Sequence, residues 1–182
     1  RRPLLVQYYP LDEESYLVRV PREVGGNVVW EDEVMRVPPV EPEPIPVVMD
    51  MEALEYVKQL PRGEHTLEME LSVFPAPIQE EKGARPYLSH MLLIVESHRG
   101  LILGNELLMP EPGLVQMWGT VPMKVVHQLA RMGILPREIR VQPSQLLALL
   151  QLLEEELDVE VKAVPRLCSL DRAKEVLLHR FV

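Results

Sequence analysis

Cysteine is almost absent. The single one, Cys168, excludes an internal disulfide and fits a reducing compartment. Long apolar runs are absent as well. Runs such as Met91-Leu92-Leu93-Ile94-Val95 reach only five residues and fall far short of the roughly 20 that a membrane helix needs. No charged segment followed by an apolar one opens the chain, so no signal peptide is expected and the expected location is cytoplasmic. Positive charge is in deficit: 19 Lys and Arg stand against 28 Asp and Glu, a net charge of −9. An acidic chain lacks the basic face that phosphate contacts require, so nucleic acid is not an expected partner, and neither is a membrane. No G-x-x-x-x-G-K-[ST], G-x-G-x-x-G or G-x-S-x-G occurs, which removes the P-loop, the dinucleotide fold and the hydrolase elbow in their standard forms. His-x-x-x-His and Cys-x-x-Cys are missing too, and no cofactor is expected.

What is present suits a folded chain of 182 residues, 47% hydrophobic and 26% charged, as one large domain or two small ones. The 18 prolines are about double the usual share. Pro38, Pro39, Pro42, Pro44 and Pro46 cluster, which predicts an extended connector over 38–46; a polyproline ligand is the alternative. Before it, Leu4 to Tyr9, Tyr16 to Val20, Val28 to Trp30 and Val34 to Val37 read as short strands, with turns at Asp12 to Ser15 and Gly25-Gly26-Asn27. After it, Asp50 is positioned to cap a helix bearing Ala53, Leu54, Val57 and Leu60, stopped by Pro61 and Gly63. Thr66 to Phe74 alternates, with Glu68, Glu70 and Ser72 opposite Leu67, Met69, Leu71 and Val73. That predicts a half-solvated strand broken by Pro75 and Pro77. A boundary is expected near residue 83, giving a β-rich subdomain over 1–83 and a mixed α/β domain over 84–182.

In the second segment, Leu88 to Glu96 and Leu101 to Met109 read as strands joined at Ser97-His98-Arg99-Gly100. Leu114 to Trp118 reads as a third strand. Thr120 then opens a helix with Pro122 in its first turn and Val125, Val126, Leu129 and Met132 as its stripe, ended by Gly133. Arg137 to Gln142 and Asp158 to Val164 read as strands. Between them, Leu146, Leu149, Leu150, Leu153 and Leu157 mark a helix whose stripe is core rather than a zipper. Ser169 caps a last helix with Leu170, Ala173, Val176 and Leu177. The expected fold is α/β with a mixed sheet, a three-stranded meander followed by βαβα crossovers. Val47 to Asp50, a helix and Leu67 to Phe74 echo Ile139 to Gln142, a helix and Asp158 to Val164. An internal duplication would explain this, though βαβ units look alike by necessity.

Arg85-Pro86-Tyr87, the hairpin over Leu92 to Leu108 and the stretch Leu135-Pro136-Arg137-Glu138-Ile139 resemble an uncharacterised bacterial family known only as a domain of unknown function. That resemblance covers 84–182 and brings no activity. The element order is also similar to the ribonuclease H-like fold of nucleases and transposases, a likeness of fold rather than function.

Nucleases of that fold hold divalent metal with carboxylates on the first core strand, at the end of the fourth strand and on the last helix. The corresponding residues here are Glu96, Gln142, and Asp171 or Glu175. Gln142 is neutral, so the set lacks a charge that a hard cation requires. Glu96 shares strand parity with His90 and His98, which suggests a His/Glu/His zinc site against ordinary edge and turn histidines. Cys168 with His179 or His127 would form a nucleophile and base, against inert packing beside Leu167. Arg166, Arg172, Lys174, His179 and Arg180 form a basic concentration suited to an acidic partner, or to surface compensation of Glu154-Glu155-Glu156. These residues leave the catalytic and metal sites unassigned. They favour a non-catalytic interaction or regulatory module with a protein partner over a divergent metal-dependent nuclease or phosphoryl-transfer enzyme.

Overall fold

The computed structural model describes residues 15–36, 44–79, 83, 85–142 and 144–179. The strand expected at Leu4 to Tyr9, the turn at 12–14 and residues 38–43 of the connector lie outside them. The chain divides into two compact units, Arg1–Glu43 and Pro44–Val182.

The described part of the first unit is a hairpin. β1 (Ser15–Val24) pairs antiparallel with β2 (Asn27–Arg36) around Gly25 and Gly26. Both glycines have positive φ, 62° and 83°, which lets a two-residue turn close the ribbon without strain. The two short strands expected at Val28 and Val34 are one continuous strand, because every β2 residue has a β1 partner in register.

In the second unit, Ile45 to Met49 is irregular, not the opening strand that a duplication would need. Asp50 caps α1 (Met51–Lys58), its Oδ1 accepting the Ala53 N–H at 3.0 Å. β3 (Thr66–Ile78), β4 (Tyr87–Glu96), β5 (Ile102–Leu108), β6 (Glu138–Val141) and β7 (Glu160–Ala163) form one sheet in the order β5-β4-β3-β6-β7. β3 is antiparallel to β4 and parallel to β6, β4 is antiparallel to β5, and β6 is parallel to β7. β4 alone therefore runs against the other four.

The boundary expected near residue 83 falls inside this sheet. β3 is its central strand, paired on both sides, so the division lies at 43/44. Pro75 and Pro77 shift the register between Val73 and Pro77 but do not end the strand. The stretch Leu114 to Trp118 is not a strand. α2 runs Leu114–Met132 from Gly113, and Thr120 is internal, its hydroxyl donating to the Met117 carbonyl at 2.8 Å. The error came from placing Pro122 in the first turn. Here it sits mid-helix, and the carbonyl of Gly119 in the turn before it accepts the Val48 N–H at 2.9 Å. α3 (Gln145–Leu157) buries the five expected leucines, and α4 (Cys168–Leu178) buries Leu170 and Ala173.

The order β-β-β-α-β-α-β-α is the expected one, but it begins at Thr66 rather than Leu88. Strand parity places Leu67, Met69, Leu92, Ile94, Ile139 and Val141 against α1, α2 and α3 in the larger core. Met91, Leu93 and Val95 lie on the other face, against Leu167, Leu170 and Ala173. The fold is thus a mixed α/β sheet covered on both faces.

Candidate functional site

The sheet of the second unit opens with β3, and Glu68 and Glu70 stand on its polar face. That face is not half-solvated, because α4 covers it. Glu68 is 4% exposed. Its Oε2 accepts the N–H groups of Ser169 and Leu170, at 3.0 and 2.8 Å, in the first turn of α4. Its Oε1 accepts the Ser97 hydroxyl at 3.0 Å. The Ser169 hydroxyl, expected to cap the helix, donates instead to the Ser97 carbonyl at 2.6 Å. A strand carboxylate therefore serves α4 as the capping acceptor, satisfying donors that a helix start leaves open.

One turn further along α4, Lys174 Nζ donates to Glu70 Oε2 at 2.7 Å, both side chains about a quarter exposed. Glu68 lies level with Arg140 in the parallel pairing of β3 and β6, so Glu70 and Gln142 follow two residues on. Gln142 donates to the Pro165 carbonyl at 3.3 Å. Asp171 pairs with Arg166 at 3.2 Å, and Glu175 is exposed. Gln142 thus follows the end of β6, Asp171 meets Arg166 rather than another candidate, and Glu96 accepts from its own turn.

Glu96 closes its own turn. Its carboxylate accepts the backbone N–H groups of Arg99 and His98, at 2.6 and 3.0 Å, and these bonds hold its carboxyl below the usual carboxylate range. The zinc grouping is not assembled. His98 meets Glu96 through its backbone, and His90 lies six residues back along β4, about 20 Å away at the rise of a strand. Among the described residues no three His, Cys, Asp or Glu form a metal-holding group. Cys168 is exposed, which corrects the expectation of an apolar setting; only its neighbour Leu167 is buried. His179 stands at the far end of α4, about 16 Å off by helical rise. His127 is engaged elsewhere, its Nε2 at 2.9 Å from Asp50 Oδ2. The Ala53 N–H and then this contact hold the Asp50 carboxyl low.

Two members of the basic concentration are paired, though not with the acids expected. Arg166 meets Asp171 and Lys174 meets Glu70, whereas Glu156 meets Lys58 and Glu154 accepts the Val161 N–H. Arg180 lies outside the described residues. Beyond the Thr66 end of β3, a cluster missed in the sequence forms around Glu138, which is 2% exposed. Burial pushes its carboxyl up, but hydrogen bonds from Lys162 and Arg140 overcome this and leave it below the usual range. The β6–β7 pairing sets Arg140 level with Lys162, two residues from Glu138 on the same face. That adjacency depends on strand order, which composition does not carry.

A cavity of ≈ 660 Å³ opens beside the Ser97 to Gly100 turn. Leu101, Leu103, Met132 and Ile134 form its apolar wall, with His65, His98, Arg99 and Arg140 among its polar groups. His98 and Arg99 also line a smaller crevice of ≈ 290 Å³ with Arg172 of α4. No helix among the described residues is long and apolar enough to cross a membrane.

No curated protein and no solved structure matches the chain. A family described as a domain of unknown function (DUF6930) matches residues 53–178, from within α1 to the end of α4. The match begins well before residue 84 and takes in β3, as the sheet requires. The chain belongs to that family.

Proposed function

We propose that residues 66–178 form a ribonuclease H-like domain without catalysis, working as an interaction or regulatory module. The observation that carries the reading is the Glu70–Lys174 ion pair. At the junction of first strand and last helix, where nucleases of that fold gather carboxylates around metal, this chain sets an ammonium against its carboxylate. Lys174 supplies from within the chain the positive charge that a cation would bring. The fourth-strand position, Gln142, is neutral, and Glu68 is spent on α4. Two-metal chemistry needs several anionic oxygens on one pair of ions; here Glu70 is neutralised by Lys174, Asp171 by Arg166, and Gln142 carries no charge.

The test is incubation of single-stranded, double-stranded and hybrid nucleic acids with Mg²⁺ or Mn²⁺ and either the native chain or Glu70→Gln. No cleavage by the native chain is the expected result. Metal-dependent cleavage by the native chain that Glu70→Gln abolishes would overturn the reading.

A further inference from the structure

The cavity beside the Ser97 to Gly100 turn has two parts of different chemistry. One wall is aliphatic: Leu101 and Leu103 at the start of edge strand β5, and Met132 and Ile134 at the end of α2. Leu101 and Leu103 are 51% and 38% exposed, so this aliphatic wall is open to solvent. The other part is the turn itself, where charge is unevenly used. Glu96 is bound by the turn's N–H groups, Glu64 pairs with Arg137, and Arg140 is held by Glu138. Among the described residues the Arg99 guanidinium and the His98 ring make no salt bridge, although both act at longer range on the Glu96 carboxylate that the turn's N–H groups hold. Arg99 is exposed and lines the mouth of the cavity, so its guanidinium is open to an anion from outside the chain. The volume, ≈ 660 Å³, falls within the range of small-molecule sites, which are mostly apolar with a few convergent polar groups.

We propose that this cavity binds an amphipathic organic carboxylate, its apolar body against Leu101, Leu103 and Ile134 and its carboxylate on Arg99. The fixed fork of a guanidinium matches a carboxylate in two parallel hydrogen bonds, and the apolar wall supplies burial that a bare anion cannot use. The site lies beside the Ser97 to Gly100 turn rather than at the Glu70–Lys174 pair, and its standing does not depend on whether the chain cleaves nucleic acid.

Octanoate, octanol and inorganic phosphate separate the two halves of the proposal. Each is titrated into the full chain by calorimetry, with amide chemical shifts at Leu101, Leu103 and Ile134 locating the bound molecule. Octanoate should bind saturably and move those amides, with octanol and phosphate both much weaker. Arg99→Ala should weaken octanoate by about tenfold or more, the value of a charge-assisted pair, while unfolding at the native temperature because Arg99 is exposed. Leu101→Glu, also at an exposed position, should abolish binding. Octanol binding as tightly as octanoate would reduce the site to an apolar hollow and overturn the proposal. Phosphate binding as tightly would reduce it to a point charge, with the same consequence. Failure of octanoate to bind, or shifts confined to other residues, would also overturn it.

Discussion

Two buried glutamates, two residues apart in register on the adjacent strands β3 and β6, show how one side-chain type is held in two different ways. Glu68 is held by donors alone, two from the first turn of α4 and one from Ser97. Its replacement by alanine leaves those donors without an acceptor under a helix, where water cannot reach them freely. Glu68→Ala should therefore cost about 2–3 kcal/mol in urea unfolding, with Glu68→Gln losing less because one acceptor oxygen remains. A loss under about 0.5 kcal/mol would place the α4 cap elsewhere. Glu138 is held by cations, and its depressed carboxyl makes a prediction about pH. A carboxyl lowered in the folded state releases its proton more readily there than when unfolded. Its contribution to stability is complete above the ordinary glutamate value of 4.5 and is lost as pH falls through the lower folded value. Chemical unfolding of the native chain followed from pH 6 downward should show stability falling below about pH 4.5. Glu138→Gln should start less stable and fall less steeply over the same window. Parallel curves for the two proteins would show that Glu138 contributes nothing to the acid sensitivity.

The helices were legible in proportion to how local their signals are. The α3 stripe was read correctly because five leucines at helical spacing admit one face only, and that face is the buried one. Leu150 is fully buried, so Leu150→Ala should cost about 2–5 kcal/mol, whereas Leu152→Ala, at 48% exposure, should stay within about 0.5 kcal/mol of the native chain. Equal losses would mean the helix is rotated from the face described. α2 was misread because its beginning has no such signal. Leu114 to Trp118 offers apolar residues without a side-chain cap, and a proline mid-helix imitates a helix start. What holds that region is a close approach invisible in sequence. A Cβ on Gly119 would sit 2.2 Å from the Pro46 carbonyl oxygen, so only glycine lets the 44–50 segment lie against α2. Gly119→Ala should destabilise despite alanine's better helix propensity, by about 1–3 kcal/mol in thermal or urea unfolding. A stabilised variant would show that the segment does not rest there. β3 was misjudged for a related reason. Alternation reports that one face is polar, and it cannot report that a helix more than a hundred residues later will cover Glu68 and Glu70 with its own N–H groups and a lysine.

The molecule as a whole is two units of unequal independence. Among the described residues, every buried member of both hydrophobic clusters lies between Leu54 and Ala173, within the second unit. Its sheet is paired through five strands, and its exposed edges are β5 and β7. The described part of the first unit is a two-stranded ribbon with Tyr16, Val28, Trp30 and Val34 all exposed, and an isolated ribbon of that kind is marginal in water. The cross-strand ion pairs Arg19–Asp32 and Arg22–Glu31 are solvent-exposed and add little. Two expressed fragments test the consequence. Residues 44–182 alone should unfold cooperatively, with a midpoint within a few degrees of the intact chain, because the deletion removes none of its core. Residues 1–43 alone should show no cooperative transition. If 44–182 instead lost its transition or precipitated where the intact chain does not, the first unit would have to supply something to the core that its exposed side chains do not suggest, and the division at 43/44 would not be one between a self-sufficient domain and an appended ribbon.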